Sequence, residues 1–181
     1  MTRPPHRSSP CRGARRAISV AIAVAGVLPG CGYTLKSAVP SYIHTLAIPV
    51  FQNNTVQFGL ADQVTQALVN RFLGNGSLHI VSERDADAVL RGTITDYRNQ
   101  VFGYTLEEKA TEYEVILTAQ IVFRDQVKKR DLWKEDAFSV RTTYNVSPVG
   151  ATGEARTEAD AQQEVANKLA DQIVSRTIQG W

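Results

Sequence analysis

Residues 113–123 read Tyr-Glu-Val-Ile-Leu-Thr-Ala-Gln-Ile-Val-Phe. Every second side chain, from Tyr113 through Phe123, is apolar, and the side chains between them are a mixture of polar and apolar residues. Because successive side chains of a strand point to opposite faces of a sheet, this alternation predicts a strand with one face on a core and the other partly in solvent. A sheet of this kind needs a second layer over its apolar face.

Two segments with apolar residues at helical spacing can supply that second layer. The first ends at residues 74–76, Gly-Asn-Gly, which tolerate a left-handed helix cap. The second begins at residues 157–160, Thr-Glu-Ala-Asp, which match a capping box. The apolar stripes are Leu60, Val64, Leu68 and Phe72 in the first helix, and Ala161, Val165, Leu169 and Ile173 in the second.

Four further runs have the length or composition of strands: 46–51, 78–81, 88–98 and 132–146. Pro49 has no backbone N–H, so the first run is expected to lie at a sheet edge or to end at the proline. The second run is long enough only for a brief strand. The order of these elements predicts an α+β fold, a two-layer sandwich with two helices on one face of a mostly antiparallel four-stranded sheet, plus one optional short strand.

Basic residues fall at both ends of this predicted sheet. Because the connections of a meander alternate between ends, loops 99–112 and 147–156 are expected at one end and the connection 125–131 at the other. Basic residues beside the first two loops could gather and meet phosphates, although glutamates in the same loops favour ordinary solvated loops as the competing interpretation. These basic residues are Arg98, Lys109, Arg141 and Arg156. Lys128, Lys129 and Arg130 in the third connection are expected to form a solvated turn, with a functional patch as the alternative.

The N-terminal segment predicts export and lipidation. Residues 1–30 contain five arginines and no acid, and their apolar stretch 17–28 is too short for the ~20 residues of a membrane span but typical of a secretory signal peptide. The stretch ends in Leu28-Pro29-Gly30-Cys31, which resembles a bacterial lipobox. We therefore expect removal of residues 1–30, lipidation of Cys31, a tether over 31–43 and one sandwich domain over 44–181.

Charge and cysteine content narrow the function further. Without residues 1–30, 15 basic and 18 acidic side chains remain, so the net charge of −3 argues against nucleic-acid binding. The only other cysteine, Cys11, lies in the segment expected to be removed, which excludes an internal disulfide. Acyl chains on Cys31 would anchor the protein to a membrane. Gly32 stands where an inner-membrane retention signal has Asp, which favours the outer membrane.

Residues able to carry catalysis are sparse after residue 31. His44 and His79 both belong to strand patterns, where a structural role is expected. Glu83, Asp85 and Asp87 alternate before a strand, but they lack the glycine turn and closing glutamate of a calcium loop, so a solvated loop is expected. No nucleophile elbow, phosphate loop or zinc-protease motif is found, and we predict no cofactor, no metal and no enzymatic activity.

Several stretches together resemble the lipopolysaccharide-assembly lipoproteins of the LptE family. They are Cys31-Gly32-Tyr33-Thr34-Leu35, residues 45–53 with the amphipathic helix that follows, residues 86–94, residues 112–123 and the alanine-rich final helix. The resemblance covers essentially all of residues 31–181 in order and pattern.

This resemblance implies a plug within an LptD-like outer-membrane β-barrel that helps to deliver lipopolysaccharide to the outer leaflet, held on the periplasmic side by its lipid anchor. It also implies contact with lipopolysaccharide through basic residues in loops at one sheet end, which by position leaves Lys109 and Arg156. The alternative function is a stand-alone envelope lipoprotein that acts as a protein–protein adaptor, since residues 46–53 are also similar to the first strand of the TolB N-terminal domain. An enzyme of unrecognised type is disfavoured.

Overall fold

A computed structural model describes residues 39–104, 110–146 and 155–179. These residues form six strands and two helices, in the order β1 Thr45–Ala47, β2 Gln52–Asn53, α1 Leu60–Asn75, β3 His79–Ile80, β4 Ala88–Tyr104, β5 Ala110–Asp125, β6 Arg130–Asn145 and α2 Glu158–Gln179. Both helices pack on one face of one sheet, as the two-layer sandwich requires. Neither helix has both the length and the apolar character needed to cross a membrane.

The sheet is mixed and has more strands than the four-stranded, mostly antiparallel sheet that the sequence predicted. Its order is β3-β1-β4-β5-β6, and β2 pairs with β4 beyond β1. The pairs β4–β5 and β5–β6 are antiparallel, whereas β1 runs parallel to both β3 and β4, and β2 runs parallel to β4. The physical reason is α1, because a helix between two strands returns the chain in its original direction and favours parallel pairing.

The first predicted strand is divided in two at its proline. The strand β1 ends at Ala47 and β2 starts at Gln52, so Pro49 lies in the connection between them. This confirms that the strand ends at the proline, which cannot donate to a ladder. The strand is not at an edge, however, because β1 lies between β3 and β4.

The central strands are longer than predicted. Residues 99–104 continue β4 and residues 110–112 begin β5, so the expectation of a loop over 99–112 is wrong outside residues 105–109. Pairing continues through Asn99 with Val115 and through Val101 with Tyr113. The apolar alternation fades after residue 98 because most side chains of β4 are exposed there, whichever face they lie on.

The predicted core is confirmed. Val115, Leu117, Ala119, Ile121 and Phe123 of β5 are all buried, and they form one hydrophobic cluster with the apolar stripes of both helices.

The predicted C-terminal end of α1 and N-terminal end of α2 are also confirmed. Gly76 has a φ of 70° and donates its N–H to the Phe72 carbonyl. At α2, the Thr157 hydroxyl accepts from the Asp160 amide at 3.2 Å and the Asp160 carboxylate accepts from the Thr157 amide at 2.9 Å, which is a reciprocal capping box.

One aromatic contact joins the short parallel strands to this core. The ring of Phe51, only 3% exposed, lies against the backbone of Gly92 on the helix side of β4, where any β-carbon would overlap the ring. The Phe51 amide donates to the Thr65 hydroxyl at 3.0 Å, and that hydroxyl donates to the Ala61 carbonyl at 2.7 Å. Phe51 therefore ties the β1–β2 connection to β4 and to α1 at once.

We expect Gly92→Ala to lower the free energy of unfolding by about 1–3 kcal/mol, because the added methyl group overpacks a filled core. Urea unfolding of the purified protein measures this loss. Gly74→Ala is the matched control, since nothing lies within 4 Å of a β-carbon there and alanine inside a helix stabilises by about 0.5–1 kcal/mol. Equal effects of the two substitutions would contradict the packing argument.

Candidate functional site

The two connections expected to share one end of the sheet do share it. Tyr104 and Ala110 flank the β4–β5 connection, and the Arg156 amide donates to the Asn145 carbonyl at the end of β6, at 2.8 Å. We use the term far end for residues 98–104, 110–116 and 141–146 of the sheet together with Arg156. Of the predicted site residues, Lys109 and Cys31 lie outside the residues that the structure describes.

Arg156 belongs to a small ionic cluster on the helix side of the far end. Its guanidinium lies 2.6 Å from the Glu164 carboxylate, which also binds the Lys168 ammonium at 2.8 Å and the Thr142 hydroxyl at 2.5 Å. The hydrogen bonds from Lys168 and then Thr142 lower the pKa of Glu164 to about 2. Glu164 is therefore ionised at neutral pH, and the cluster of two cations and one anion keeps a net positive charge.

Arg98 and Arg141 do not join Arg156. Both pair with Ile116 across the sheet, on the face opposite the helices, which we call the open face. Arg98 lies 2.8 Å from the Asp96 carboxylate, and Arg141 lies 3.8 Å from the buried carboxylate of Glu114. The expected basic group is therefore divided between the two faces of the sheet, and its open-face members are balanced by acids.

The far end also exposes apolar side chains, three of which, Val101, Phe102 and Tyr104, were predicted to lie in the loop 99–112. Phe102 is 59% exposed and Tyr104 is 66% exposed, and Val101 and Val146 are exposed beside them. The stacked rings of Tyr113 and Tyr144, 5.5 Å apart, lie on the neighbouring strands β5 and β6. The sequence contains three large apolar residues within 101–104, but they do not alternate with polar residues and so did not predict a strand. The far end thus combines cationic and apolar groups.

The opposite end of the sheet, where β5 turns into β6, is held by a buried acid. Asp125 is fully buried and accepts hydrogen bonds from the Tyr42 hydroxyl at 2.5 Å and from the Lys128 amide at 2.9 Å. Burial raises the pKa of Asp125, but these hydrogen bonds outweigh it and hold the pKa below its usual value. The Lys128 ammonium lies 4.2 Å from the centre of the Tyr42 ring. We call residues 127–130 the basic turn.

The alternating acids before β4 are separate structural groups. Asp87 accepts from the amides of His44 and Thr45, at 2.9 and 3.0 Å, and these bonds, led by that from His44, lower its pKa. Glu83 pairs with Arg91, and the Asp85 carboxylate accepts from the Ser82 hydroxyl at 2.6 Å. Within the described residues, no cluster of three potential metal ligands occurs.

An open groove between α1 and α2 is lined mainly by carboxamides. Its volume is about 560 Å³, and its lining includes Gln63, Gln66, Asn70, Gln163 and Asn167. Carboxamides donate and accept hydrogen bonds but do not titrate near neutral pH. The single arginine of the groove, Arg71, is paired with Asp171 at 2.6 Å. The groove, whose lining also includes Asp62, can therefore bind polar groups.

Comparison with known proteins adds a family and a fold. A family model described as LptE, lipopolysaccharide-assembly, matches residues 43–177. No curated protein gives a significant sequence match.

Three solved structures show the same fold at low identity. A minor lipoprotein from Acinetobacter baumannii is 20% identical, with a TM-score of 0.50, over 75% of this chain and 91% of that chain. A Xanthomonas campestris protein of the DUF330 family is 12% identical, with a TM-score of 0.54, over 77% and 88%. A Chlamydia trachomatis protein described as hypothetical is 11% identical, with a TM-score of 0.50, over 74% and 95%.

The family match starts just before β1 and ends within the last turn of α2, so it includes both layers of the sandwich. The element order, the long central strands and the final helix predicted from sequence all lie inside it. The chain belongs to the LptE family of lipopolysaccharide-assembly proteins.

Proposed function

We propose that this protein is an outer-membrane lipoprotein that sits as a plug in an LptD-like β-barrel and assists delivery of lipopolysaccharide to the outer leaflet. The observation that carries the proposal is the LptE family match over residues 43–177. The role is structural and non-catalytic, and its ligand and partner are the lipopolysaccharide and the barrel. Three physical features of the described residues support it.

The first feature is the chemistry of the open face. Barrel lumens are polar, so a plug needs a polar surface with few apolar side chains. The open face of β4, β5 and β6 meets that need with hydroxyl, amide and oppositely charged groups, several of which bond one another across the strands. These residues are Thr93, Thr118, Gln120, Lys134, Asp136, Ser139, Arg141 and Thr143.

The second feature is the length of the sheet. The strand β5 has 16 residues, and at the usual rise of about 3.3 Å per residue it is roughly 50 Å long. A bilayer with its headgroup regions is about 40–45 Å thick. A sheet of this length can therefore extend through a barrel from one membrane surface to the other.

The third feature is the far end, where β4 exposes Phe102 and Tyr104 and where Arg156, between β6 and α2, belongs to the ionic cluster of Glu164. Lipopolysaccharide carries both phosphates and acyl chains, so a site for it needs cationic and apolar groups together. We assign its contact to the far end, with Lys109 and Arg156 as the cationic residues.

Lipidation of Cys31 is the first test. Intact-mass analysis of protein extracted from membranes is expected to show loss of residues 1–30 and addition of acyl chains to Cys31. The Cys31→Ser variant is the control and is expected to lack the acyl mass. An unmodified Cys31, or cleavage at another position, would exclude the proposed anchor.

Recovery of the barrel is the test of the plug. The protein, extracted from native membranes in mild detergent, is expected to bring a large β-barrel with it in a stable complex. Single substitutions of titratable residues on the open face, such as Lys134→Gln, are expected to leave this complex intact because no catalytic group is needed. Extraction without any barrel would refute the plug and favour the adaptor function.

Lipopolysaccharide binding is tested by the double variant Lys109→Gln, Arg156→Gln. If both residues contact phosphates, binding is expected to weaken by about tenfold or more, because a hydrogen bond to a charged group is worth about 1.5–3 kcal/mol. The barrel complex is expected to persist. Glutamine is preferred to glutamate, since a new carboxylate at position 156 would repel Glu164.

Lys168→Gln is the matched control for that experiment. It removes the ammonium group that lies 2.8 Å from the same Glu164 carboxylate. Lys168 belongs to α2, whereas Arg156 belongs to the connection that precedes α2. A loss of lipopolysaccharide binding in the control as large as in the double variant would indicate collapse of the ionic cluster. Unchanged binding in the double variant would remove both residues from the site and leave the plug role unaffected.

A further inference from the structure

We propose that the basic turn is a second membrane contact of this protein, which binds the anionic phospholipid headgroups of the leaflet that holds the lipid anchor. The inference rests on the proposed lipidation of Cys31. It concerns the end of the sheet opposite to the proposed lipopolysaccharide site, roughly 50 Å away along β5, and it assigns a partner of a different kind.

The backbone of the basic turn gives the first argument. Lys129 has a φ of 55°, and among the described residues it is the one residue other than glycine with a positive φ. This left-handed conformation favours glycine or asparagine and is uncommon for lysine. A residue kept in this conformation is a candidate for a function of its side chain.

The hairpin itself does not need the lysine side chain. The turn is shaped by buried Asp125, whose carboxylate accepts from the Lys128 amide at 2.9 Å. The carbonyl of Lys129 accepts from the Arg124 guanidinium at 3.3 Å, so a backbone group rather than the ammonium makes the contact. A lysine at position 129 therefore adds charge at the cost of backbone strain.

Two of the three cationic side chains of the turn, Lys128 and Lys129, are available to a ligand, whereas Arg130 lies 3.9 Å from the Asp125 carboxylate. Acids near the turn already have partners: Asp131 pairs with Arg124 at 3.1 Å, and Asp125 is bound by Tyr42. Within the described part of the chain, no carboxylate lies within 4 Å of the ammonium groups of Lys128 and Lys129. Val127, 58% exposed, precedes them. A basic group beside an exposed apolar side chain suits the interface of an anionic bilayer.

The position of the turn relative to the chain entry gives the last argument. Tyr42, whose ring faces Lys128, is three residues after the first described residue, Val39. Cys31 precedes Val39 by eight residues, which span at most about 28 Å when fully extended. An acylated Cys31 would therefore keep the basic turn close to the surface of its own leaflet, and one lipid anchor with a basic patch is a common pair of membrane signals.

The experiment places a fluorescent label on the turn. The full chain is purified from membranes, labelled at Val127→Cys with an environment-sensitive dye and reconstituted into vesicles of phosphatidylcholine, with or without phosphatidylglycerol. The emission of the dye is expected to change on contact with the bilayer, and only in the anionic vesicles. This change is expected to decrease in concentrated salt, which screens exposed charges. A label at Val146→Cys, at the far end, is the control and is expected not to respond.

Lys129→Asn is the decisive variant because asparagine tolerates the left-handed conformation while it removes the charge. It is expected to keep or raise the thermal unfolding midpoint and to reduce the contact equilibrium of the Val127 label by about fivefold, the effect of one basic residue near an anionic surface. Equal emission in neutral and anionic vesicles, or no change in Lys129→Asn, would overturn the inference. Emission that requires an added barrel protein would overturn it as well, in favour of a protein partner.

Flotation of the unlabelled parent protein separates the two proposals. The parent is expected to float with neutral vesicles in concentrated salt, through its acyl chains alone, and to offer no thiol to the dye. A parent that does not float, or that labels at Cys31, would refute the lipidation and with it the membrane contact of the turn. A parent that floats while the Val127 label stays silent would refute the contact of the turn alone.

Discussion

The ring of Phe51 lies against the bare backbone of Gly92, and the N-terminal half of the sheet depends on this contact. The strands β1, β2 and β3 have only three, two and two residues, so their ladders contain few hydrogen bonds and would be marginal by themselves. Burial of a phenylalanine ring is worth about 1.5–3 kcal/mol. Phe51 adds this contact in the first third of β4, and its amide donates to the Thr65 hydroxyl of α1.

The same segment also fixes the position of α1 relative to the sheet. The hydroxyl of Thr65 accepts a hydrogen bond from the Phe51 amide and donates one to the Ala61 carbonyl of its own helix. This hydroxyl therefore joins α1 to the β1–β2 connection. The apolar stripe from Leu60 to Phe72 then faces the sheet. The second helix packs beside α1 and over β5 and β6. The apolar side chains of both helices and of the sheet then form one continuous core.

Sequence patterns predicted the parts of this fold that are determined by neighbouring residues in the sequence. The alternation of β5, the two helical stripes and the Thr157–Asp160 capping box each follow from a local periodicity or from a side chain that bonds a nearby amide. The mixed sheet was not predicted, because the parallel pairing of β1 with β4 joins residues that are far apart in sequence, such as Leu46 and Ala88, and no local pattern records it. The extension of β4 past Arg98 was missed because strands exposed on both faces have no apolar alternation.

The candidate sites show the same division. Arg156 was found from sequence as a basic residue beside a loop, but its pairing with Glu164 depends on where α2 begins relative to β6. The role of Asp125 could not be predicted, since a buried carboxylate is recognisable only when its donor, Tyr42, is placed beside it from 83 residues away. Local patterns thus identify charged residues, while the fold decides which of them are already satisfied by the protein.

The length and pairing of the three long strands set the distance between the two ends of the sheet. Strand β5 pairs with both neighbours along nearly its whole length, from Glu112 to Asp125, and such a three-stranded unit with a packed face resists bending. If the lipid anchor and the basic turn hold one end at a membrane surface, the far end is then held at a set distance of roughly 50 Å. Its exposed aromatic and cationic groups therefore need no catalytic chemistry to be useful. Under the proposed function, their distance from the anchored end of the sheet is the property that the fold controls.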